Sequence, residues 1–263
     1  MTDQEVASDV AVGRVVPSPP AIVKPLRAEH DVSAHGRSRA KLASKRAFDL
    51  IVGSVMLLLL LPVFLAVAIA ILLAEGRPVF YRQRRVGRYG NAFTMLKFRS
   101  MVTDAHERLD DLQHHNERTG PLFKIHRDPR VTRVGRFLRA TSFDELPQFF
   151  NVLGGTMSLV GPRPALFEER ASFPPELLER EVLRPGLTGL WQVEARSDPD
   201  FDRYHQLDLD YVEHWTLWLD VKLLVRTPFV VARDAIAHAR RERTLEIEVE
   251  PVIVLAEAPA QEH

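Results

Sequence analysis

One stretch of the sequence constrains the fold more than any other, because residues 50–74 contain no charged side chain over 25 positions. A helix of that length extends about 37 Å, which is enough to cross a hydrocarbon core of roughly 30 Å. A buried core helix is the alternative, but a small soluble domain seldom needs so long an uncharged helix. The stretch therefore predicts a membrane-inserted helix over residues 44–76.

Pro62 lies in the middle of this stretch, where a proline removes a backbone hydrogen bond and kinks or breaks a helix. Each half is then about 18 Å long, too short to span a bilayer alone. Basic residues flank both ends: Arg37, Arg39, Lys41, Lys45 and Arg46 before, and Arg77, Arg82, Arg84, Arg85 and Arg88 after. Such flanks favour the cytoplasmic side for both ends. We therefore expect a re-entrant helix–break–helix with Lys45, Arg46 and Pro62 as its membrane residues, and a kinked single span is the alternative.

The rest of the chain divides by composition. Residues 1–43 show no sustained periodicity, which predicts a disordered N-terminal tail. The pattern of residues 77–239 predicts a mostly helical α+β domain with a short β-hairpin and amphipathic interface helices. For residues 240–263 we expect a peripheral C-terminal tail, in which residues 245–255 could form a short strand. Helices are expected at 101–117, at 136–153 with an interruption near Pro147, at 175–183, and at 201–238 with a break at Pro228.

Composition and missing motifs exclude several functions. The 35 basic and 35 acidic residues balance, so bulk charge does not indicate a nucleic-acid partner. The absence of cysteine excludes disulfides and cysteine-ligated zinc. The sequence contains no Walker A loop, no convincing dinucleotide-binding glycine motif and no H-E-x-x-H, so ATP-dependent or NAD-dependent chemistry has no support.

Two adjacent carboxylates, Asp144 and Glu145, lie in the otherwise apolar run T-S-F-D-E-L-P-Q-F-F. One carboxylate of such a pair can act as a nucleophile while the other manages a cation or protons. Mg²⁺ prefers one or two carboxylates together with substrate phosphate oxygens. A helix start is an equal alternative on the pattern alone, with Ser142 as the N-cap and both acids in the first turn.

Basic residues in turn-rich segments favour a phosphorylated substrate. Arginine binds phosphate oxygens in a bidentate manner, and a diphosphate needs several such groups. The candidates are Lys97 and Arg99 in L-K-F-R-S-M, Arg139, Arg163 in G-P-R-P, Arg184 in R-P-G and Arg196 in E-A-R-S. Together with the membrane segment, they indicate a phosphorylated substrate at the bilayer surface.

The order of these motifs resembles that of the bacterial sugar transferases, the monotopic polyprenyl-phosphate sugar-1-phosphate transferases. The resemblance is carried by K-R-A-F-D-L-I-V-G-S-V, L-L-P-V-F, L-K-F-R-S-M, S-F-D-E-L-P-Q-F-F-N-V-L-G-G, G-P-R-P and R-P-G-L-T-G-L-W-Q-V, and it covers residues 45–237. It implies that a UDP-sugar donates its sugar-1-phosphate to undecaprenyl phosphate with Mg²⁺ required. It also implies that Asp144 attacks the sugar-proximal phosphorus, that Glu145 is its partner, and that Asp208 lines the site.

The resemblance further implies a bacterial inner-membrane location with the catalytic domain facing the cytoplasm. The expected partners are the nucleotide-sugar donor, the polyprenyl phosphate acceptor and downstream glycosyltransferases, and a homodimer stays open. Two other functions compete with this one. A metal-dependent glycosyltransferase would release UDP rather than UMP, and a non-catalytic scaffold that binds anionic lipid would not need Asp144.

Overall fold

The computed structural model describes residues 38–117, 125, 128–196 and 198–256, and for residues 241–256 it gives the helical backbone alone. The described chain is mostly helical with few strands, as the sequence predicts. Its first element is the helix α1, Arg39–Glu75, which begins five residues before the predicted boundary of 44. Ser38 caps this helix by accepting a hydrogen bond from Lys41 N at 3.3 Å, and Gly76 ends it with a positive φ of 71°.

α1 is the helix within the described residues that is long and apolar enough to cross a membrane. Only 17% of its most apolar window is buried, whereas the core helix of a soluble protein is mostly buried. Leu58 is 71% exposed and Leu73 is 81% exposed. The helix runs through Pro62 without interruption, so the predicted division into two helices is absent from the secondary structure. A proline has no backbone N–H, so one carbonyl oxygen in the preceding turn loses its hydrogen-bond partner. The remaining backbone hydrogen bonds keep the long helix continuous.

Two small sheets follow α1. The predicted β-hairpin is confirmed: β1, Phe80–Val86, pairs antiparallel with β2, Ala92–Phe98. The second sheet joins β3, Ser158–Val160, to β4, Gly186–Thr188, in parallel. β3 leads directly into the G-P-R-P motif, and β4 lies within the R-P-G-L-T-G motif. These two motifs are therefore neighbours in space although they are distant in sequence.

Short helices fill the middle of the domain. They are α2, Arg133–Thr141; α3, Gln148–Leu153; α4, Phe167–Ala171; α5, Leu190–Glu194; and 3₁₀ turns at Arg88–Gly90, Asp110–His115, Phe143–Glu145 and Pro175–Val182. The helix predicted at 101–117 is wrong for most of its length, because the region forms turns with 3₁₀ helix at Asp110–His115. The helix predicted at 175–183 is present at Pro175–Val182, but as 3₁₀ helix. At the first, Met101 pairs with Val131 in a β-bridge, which holds the segment extended where the helix was expected to begin.

Two helices close the described chain. α6, Phe201–Glu213, is followed by α7, Leu217–Ala256, so the break falls at residues 214–216 and not at Pro228. The position of the break follows from capping, because Thr216 Oγ1 accepts a hydrogen bond from Leu219 N at 3.1 Å and starts a new helix. The strand expected at 245–255 is also wrong, since α7 continues through it. A lone strand without a partner would leave its backbone hydrogen bonds unmade.

α1 packs on the domain along most of its length. Near its start, Gly53 approaches Val152 closely, since a Cβ there would lie 3.5 Å from Val152 Cγ1. Near its middle, the Phe64 ring lies 4.8 Å from that of Phe98 and 5.6 Å from that of Phe150, between centroids. Further along, Ile71 is fully buried. Both halves of the helix therefore contact one and the same domain.

The first turns of α1 also make polar contacts that the sequence does not reveal. Lys45, expected at the membrane surface, is buried and forms an ion pair with Asp220 at 2.6 Å. Arg46 donates to Val152 O at 2.6 Å and to Leu153 O at 2.8 Å, and so caps the C-terminus of α3. Both residues were expected to be membrane residues at the basic flank of the apolar stretch, but their side chains bind protein acceptors, namely the last carbonyls of α3 and the buried carboxylate of Asp220.

Candidate active site

The carboxylate pair lies in a tight turn between α2 and α3. α2 ends at Ser142, which adopts the left-handed conformation with φ 58° and ψ 17°, and the 3₁₀ turn Phe143–Glu145 follows at once. A non-glycine residue in this region is uncommon and is found where a turn has to be sharp. Ser142 occupies the N-cap position of this turn and both acids lie in its first turn, as the helix-start interpretation expects, but the Ser142 side chain makes no capping hydrogen bond.

Lys97 on β2 faces both carboxylates. Its ammonium nitrogen lies 2.9 Å from Glu145 Oε1 and 3.9 Å from Asp144 Oδ2. Asn151 fixes β2 against α3, because its side chain accepts a hydrogen bond from Leu96 N at 2.9 Å and donates one to Thr94 O at 2.7 Å. The strand that carries Lys97 is thereby held in register with the helix that follows the acidic pair.

The two carboxyl groups differ in environment and in pKa. Asp144 is only 7% exposed, and burial raises its pKa, an effect that the attraction of Lys97 offsets only in part. The Glu145 side chain is 30% exposed. Burial acts to raise the pKa of Glu145 as well, but the combined attraction of Lys97 and Arg196 outweighs it and lowers the pKa below its usual range. Neighbouring carboxyl groups whose pKa values are driven apart are typical of active sites.

Three arginines complete a cationic surround. Arg139 donates from Nε to Ser100 Oγ at 2.9 Å and acts electrostatically on Asp144. Arg196 donates to Ser142 Oγ at 3.0 Å and lowers the pKa of both acids. Arg163 pairs with Glu169 at 2.9 Å and lowers the pKa of Glu145. The structure therefore brings Lys97, Arg139, Arg163 and Arg196 to the acidic pair.

The other predicted phosphate-binding residues lie elsewhere. Arg99 donates to the last carbonyls of α1, those of Glu75 at 2.8 Å and Gly76 at 3.1 Å. Arg184 donates to Gly155 O at 2.8 Å, beyond the end of α3. Asp208 is buried and lies 2.7 Å from Arg180. Each of these three side chains therefore makes its contacts within the protein, away from the acidic pair.

Comparison with known protein families gives a match that covers this site. Residues 40–234 match the family model described as "Bacterial sugar transferase", which is more than half of the chain. The chain belongs to the bacterial sugar transferase family. The match includes α1, both carboxylates and all four cations that surround them.

Three relatives show what the family contains. The chain is 42% identical over 191 residues to "Galactosyl transferase CpsE" of Streptococcus agalactiae, which covers 72% of this chain and 42% of that protein. It is 42% identical over 197 residues to "Undecaprenyl-phosphate galactose phosphotransferase" of Salmonella typhimurium, and the alignment covers 72% of this chain and 40% of that protein. With "Exopolysaccharide production protein ExoY" of Rhizobium meliloti the identity is 39% over 188 residues, and the alignment covers 70% of this chain and 83% of that protein. The chain thus spans less than half the length of the first two relatives.

The sequence pattern did not reveal the residues that hold Arg139 and Arg163 in place. Glu169 fixes Arg163, and Ser100 fixes Arg139. Arg180 lies between Asp208 and Tyr204 and donates to the hydroxyl of Tyr204 and to Arg163 O. Burial raises the pKa of Asp208 to about 6, and the attraction of Arg180 offsets part of that rise. Only Asp208 carried a signal, which came from the family resemblance.

The acidic pair is a credible place for a divalent cation. No group of three or more histidine, cysteine or acidic side chains with metal-ligand geometry occurs in the described part of the chain. Mg²⁺ needs no such group, because it is usually held by one or two carboxylates together with substrate phosphates and water. Asp144 and Glu145 already face one cation, the Lys97 ammonium, so their oxygens converge as a shared cation requires.

Proposed function

We propose that this chain transfers a sugar-1-phosphate from a UDP-sugar to a polyprenyl phosphate such as undecaprenyl phosphate, releasing UMP. The product would start exopolysaccharide or glycoconjugate assembly and would be extended by downstream glycosyltransferases. The observation that carries the proposal is the nearly buried carboxylate of Asp144, whose anionic form is favoured by Lys97, Arg139 and Arg196. Relatives named as phosphotransferases acting on undecaprenyl phosphate agree with it.

In the first step a carboxylate oxygen of Asp144 attacks the sugar-proximal phosphorus of the donor. The bond between that phosphorus and the bridging oxygen breaks, and the electron pair leaves with UMP. The result is an aspartyl phosphosugar on the enzyme. The carboxylate form of Asp144 is required, and Lys97 favours that form against the cost of burial.

In the second step an oxygen of the polyprenyl phosphate attacks the same phosphorus. The bond to Asp144 breaks, the carboxylate is regenerated, and a polyprenyl diphosphate sugar leaves. Arg139, Arg163 and Arg196 offer planar guanidinium groups that match phosphate oxygens, and they would hold the diphosphate while charge develops on the leaving group.

Mg²⁺ belongs to this proposal as the cofactor. Asp144 and Glu145 would hold it, and when bound it supplies charge neutralisation to the donor diphosphate. Glu145 suits this task better than Asp144, because it is more exposed and its lowered pKa keeps it ionised. Glu145 is therefore proposed as the main cation ligand, and Asp144 as the nucleophile and the weaker ligand.

The membrane part of the proposal is an α1 that enters and leaves the inner membrane on its cytoplasmic face, where the domain lies. Because α1 is one continuous helix, this requires it to bend at Pro62 rather than to divide there. The start of α1 contacts the domain through Lys45 and Asp220, and its end does so through Glu75 and Arg99. A helix that spans the bilayer would place these two ends on opposite faces. Contact of both ends with one domain therefore favours entry and exit on the same face, with the exposed leucines of the middle of α1 in lipid.

The reaction is tested with the full chain in phospholipid nanodiscs that contain undecaprenyl phosphate and Mg²⁺. A panel of UDP-sugars should yield UMP with at least one donor, and Asp144→Asn should abolish release while membrane association persists. Asp202→Asn is the matched control, since Asp202 is exposed on α6 and should retain full activity. A sugar-phosphate mass adduct on the Asp144 peptide would support the covalent step. UDP as the product would establish the glycosyltransferase instead.

The topology is tested by cysteine labelling, for which the cysteine-free chain provides a clean background. Single cysteines replace Arg39, before the apolar stretch, and Arg82, after it, both of which are exposed. A membrane-impermeant maleimide should label both from the cytoplasmic side of inverted vesicles and neither from the other side. Labelling from opposite sides would establish a spanning helix.

A further inference from the structure

A buried ion pair joins the membrane helix to the start of α7. Lys45 Nζ lies 2.6 Å from Asp220 Oδ2, and the two side chains are 6% and 0% exposed. Tyr211 and Trp215 also donate to Asp220, at 2.7 Å and 3.1 Å. Replacing a buried ion pair by apolar residues is often neutral or stabilising, so stability alone does not explain this arrangement.

The same network ends on one backbone carbonyl. Val160 O accepts a hydrogen bond from Lys45 Nζ at 2.9 Å, and the Tyr211 hydroxyl, whose single hydrogen is donated to Asp220, lies 3.1 Å from the same oxygen. Val160 is the last residue of β3, and Gly161, Pro162 and Arg163 follow it directly. The ammonium of the membrane helix is therefore attached to the backbone three residues before an arginine of the candidate active site.

The remaining backbone groups of this loop are held by other elements. Gly161 N donates to Thr188 O at 2.8 Å, and Pro162 O accepts from Gly186 N at 2.9 Å, both across the parallel sheet. Arg163 O accepts a hydrogen bond from Arg180. The loop is thus fixed at each successive residue, and the contact at Val160 is the one that comes from α1.

We propose that Lys45 is a positioning residue for Arg163. By fixing Val160 O through a buried charge whose partner is Asp220, it sets the path of the loop and hence where the Arg163 guanidinium meets the donor diphosphate. The catalytic surround is then complete only when α1 is docked on the domain. This inference rests on the proposed transfer reaction.

A double-mutant cycle tests whether Lys45 acts through Arg163. UMP release is measured with the full chain in nanodiscs, and Lys45→Met is compared in the natural background and in the R163Q background. If Lys45 acts by positioning Arg163, Lys45→Met should lower kcat/KM for the donor about tenfold in the natural background and less than about twofold in the R163Q background. Lys45→Arg, which keeps the charge, should recover part of the loss.

Two further variants separate positioning from general stability. Tyr211→Phe keeps the ion pair and removes the hydroxyl that lies between Asp220 and Val160 O, so it should show the same non-additivity at a smaller size, and it decides the matter if Lys45→Met does not fold. Ile71→Ala destabilises the same helix far from this loop, and its effect should be equal in both backgrounds.

The outcomes distinguish the two proposals. An active natural chain in which Lys45→Met and Tyr211→Phe lower kcat/KM equally with and without Arg163 would overturn the positioning role alone. Absence of UMP release with every donor would overturn the proposed reaction and this inference with it. The inference is supported if the effect on kcat/KM depends on the presence of Arg163 for the Lys45 and Tyr211 variants and not for Ile71→Ala.

Discussion

Replacement of Lys97 by methionine isolates the electrostatic control of the acidic pair. The Lys97 ammonium lies 3.9 Å from Asp144 Oδ2, and at an effective dielectric constant of about 20 two unit charges at that separation attract by about 4 kcal/mol. Because Lys97 is partly exposed, a dielectric constant of about 40 is a fair second limit, which gives about 2 kcal/mol. At roughly 1.4 kcal/mol per unit, the pKa of Asp144 should rise by about 1.5 to 3 units.

The direction follows from the form that reacts. Loss of a nearby cation favours the neutral carboxyl group, so the pKa of Asp144, which burial already raises, moves further up. Attack requires the carboxylate, and the acid limb of the pH profile should therefore shift to higher pH by the same amount. The limb reports the coupled pair of Asp144 and Glu145 rather than one residue.

The assay is UMP release at low donor concentration across a pH series, because kcat/KM reports the ionisation of the free enzyme. Lys97→Arg keeps the charge, and its acid limb should stay within about half a unit of the natural chain. The pH midpoint is informative even if Lys97→Met also weakens donor binding, since binding changes the height of the profile and not its midpoint. An unshifted acid limb in Lys97→Met would refute the electrostatic account.

Three further predictions concern the frame of the site. Gly135→Ala should lower the free energy of unfolding by about 3 kcal/mol and displace Arg139, because the new Cβ would lie 2.0 Å from Ser100 O. Thermal denaturation measures the first effect, and kcat/KM for the donor measures the second. Asp208 has a raised pKa of about 6, so its contribution to stability falls as pH rises from 4 to 6; denaturation should show the natural chain losing about 3 kcal/mol relative to Asp208→Asn over that window. Ser142→Ala and Ser142→Gly should both raise KM for the donor several-fold by removing the contact with Arg196, while only the glycine variant gains stability, since it tolerates the left-handed conformation.

Periodicity and chemistry in the sequence account for much of this fold. The uncharged stretch of α1 and the alternating pattern of the hairpin are local signals, and both elements occur where they are predicted. Helix ends were less predictable. Pro228 indicates a break, but α7 continues through it, and the cap at Thr216 determines where that helix begins.

Convergence of distant side chains is harder to predict than local structure. Lys97 and Arg99 are two residues apart and look equivalent, yet β2 ends at Phe98, so Arg99 leaves the strand and reaches the end of α1. A lysine flanking an apolar helix looks the same whether it faces lipid head groups or a distant carboxylate. Asp220 carries no sequence signal that distinguishes the two.

The ion pair of Lys45 and Asp220 also has a consequence for the order of events during synthesis. The two residues are 175 positions apart, and at about 5 to 20 residues per second the carboxylate is made roughly 10 to 35 seconds after the lysine. If α1 enters the membrane as proposed, it would do so while Lys45 is still an unpaired cation, available to hold the helix end on the cytoplasmic side. The same ammonium group would then serve the nascent chain as a topology signal and the finished protein as an internal contact.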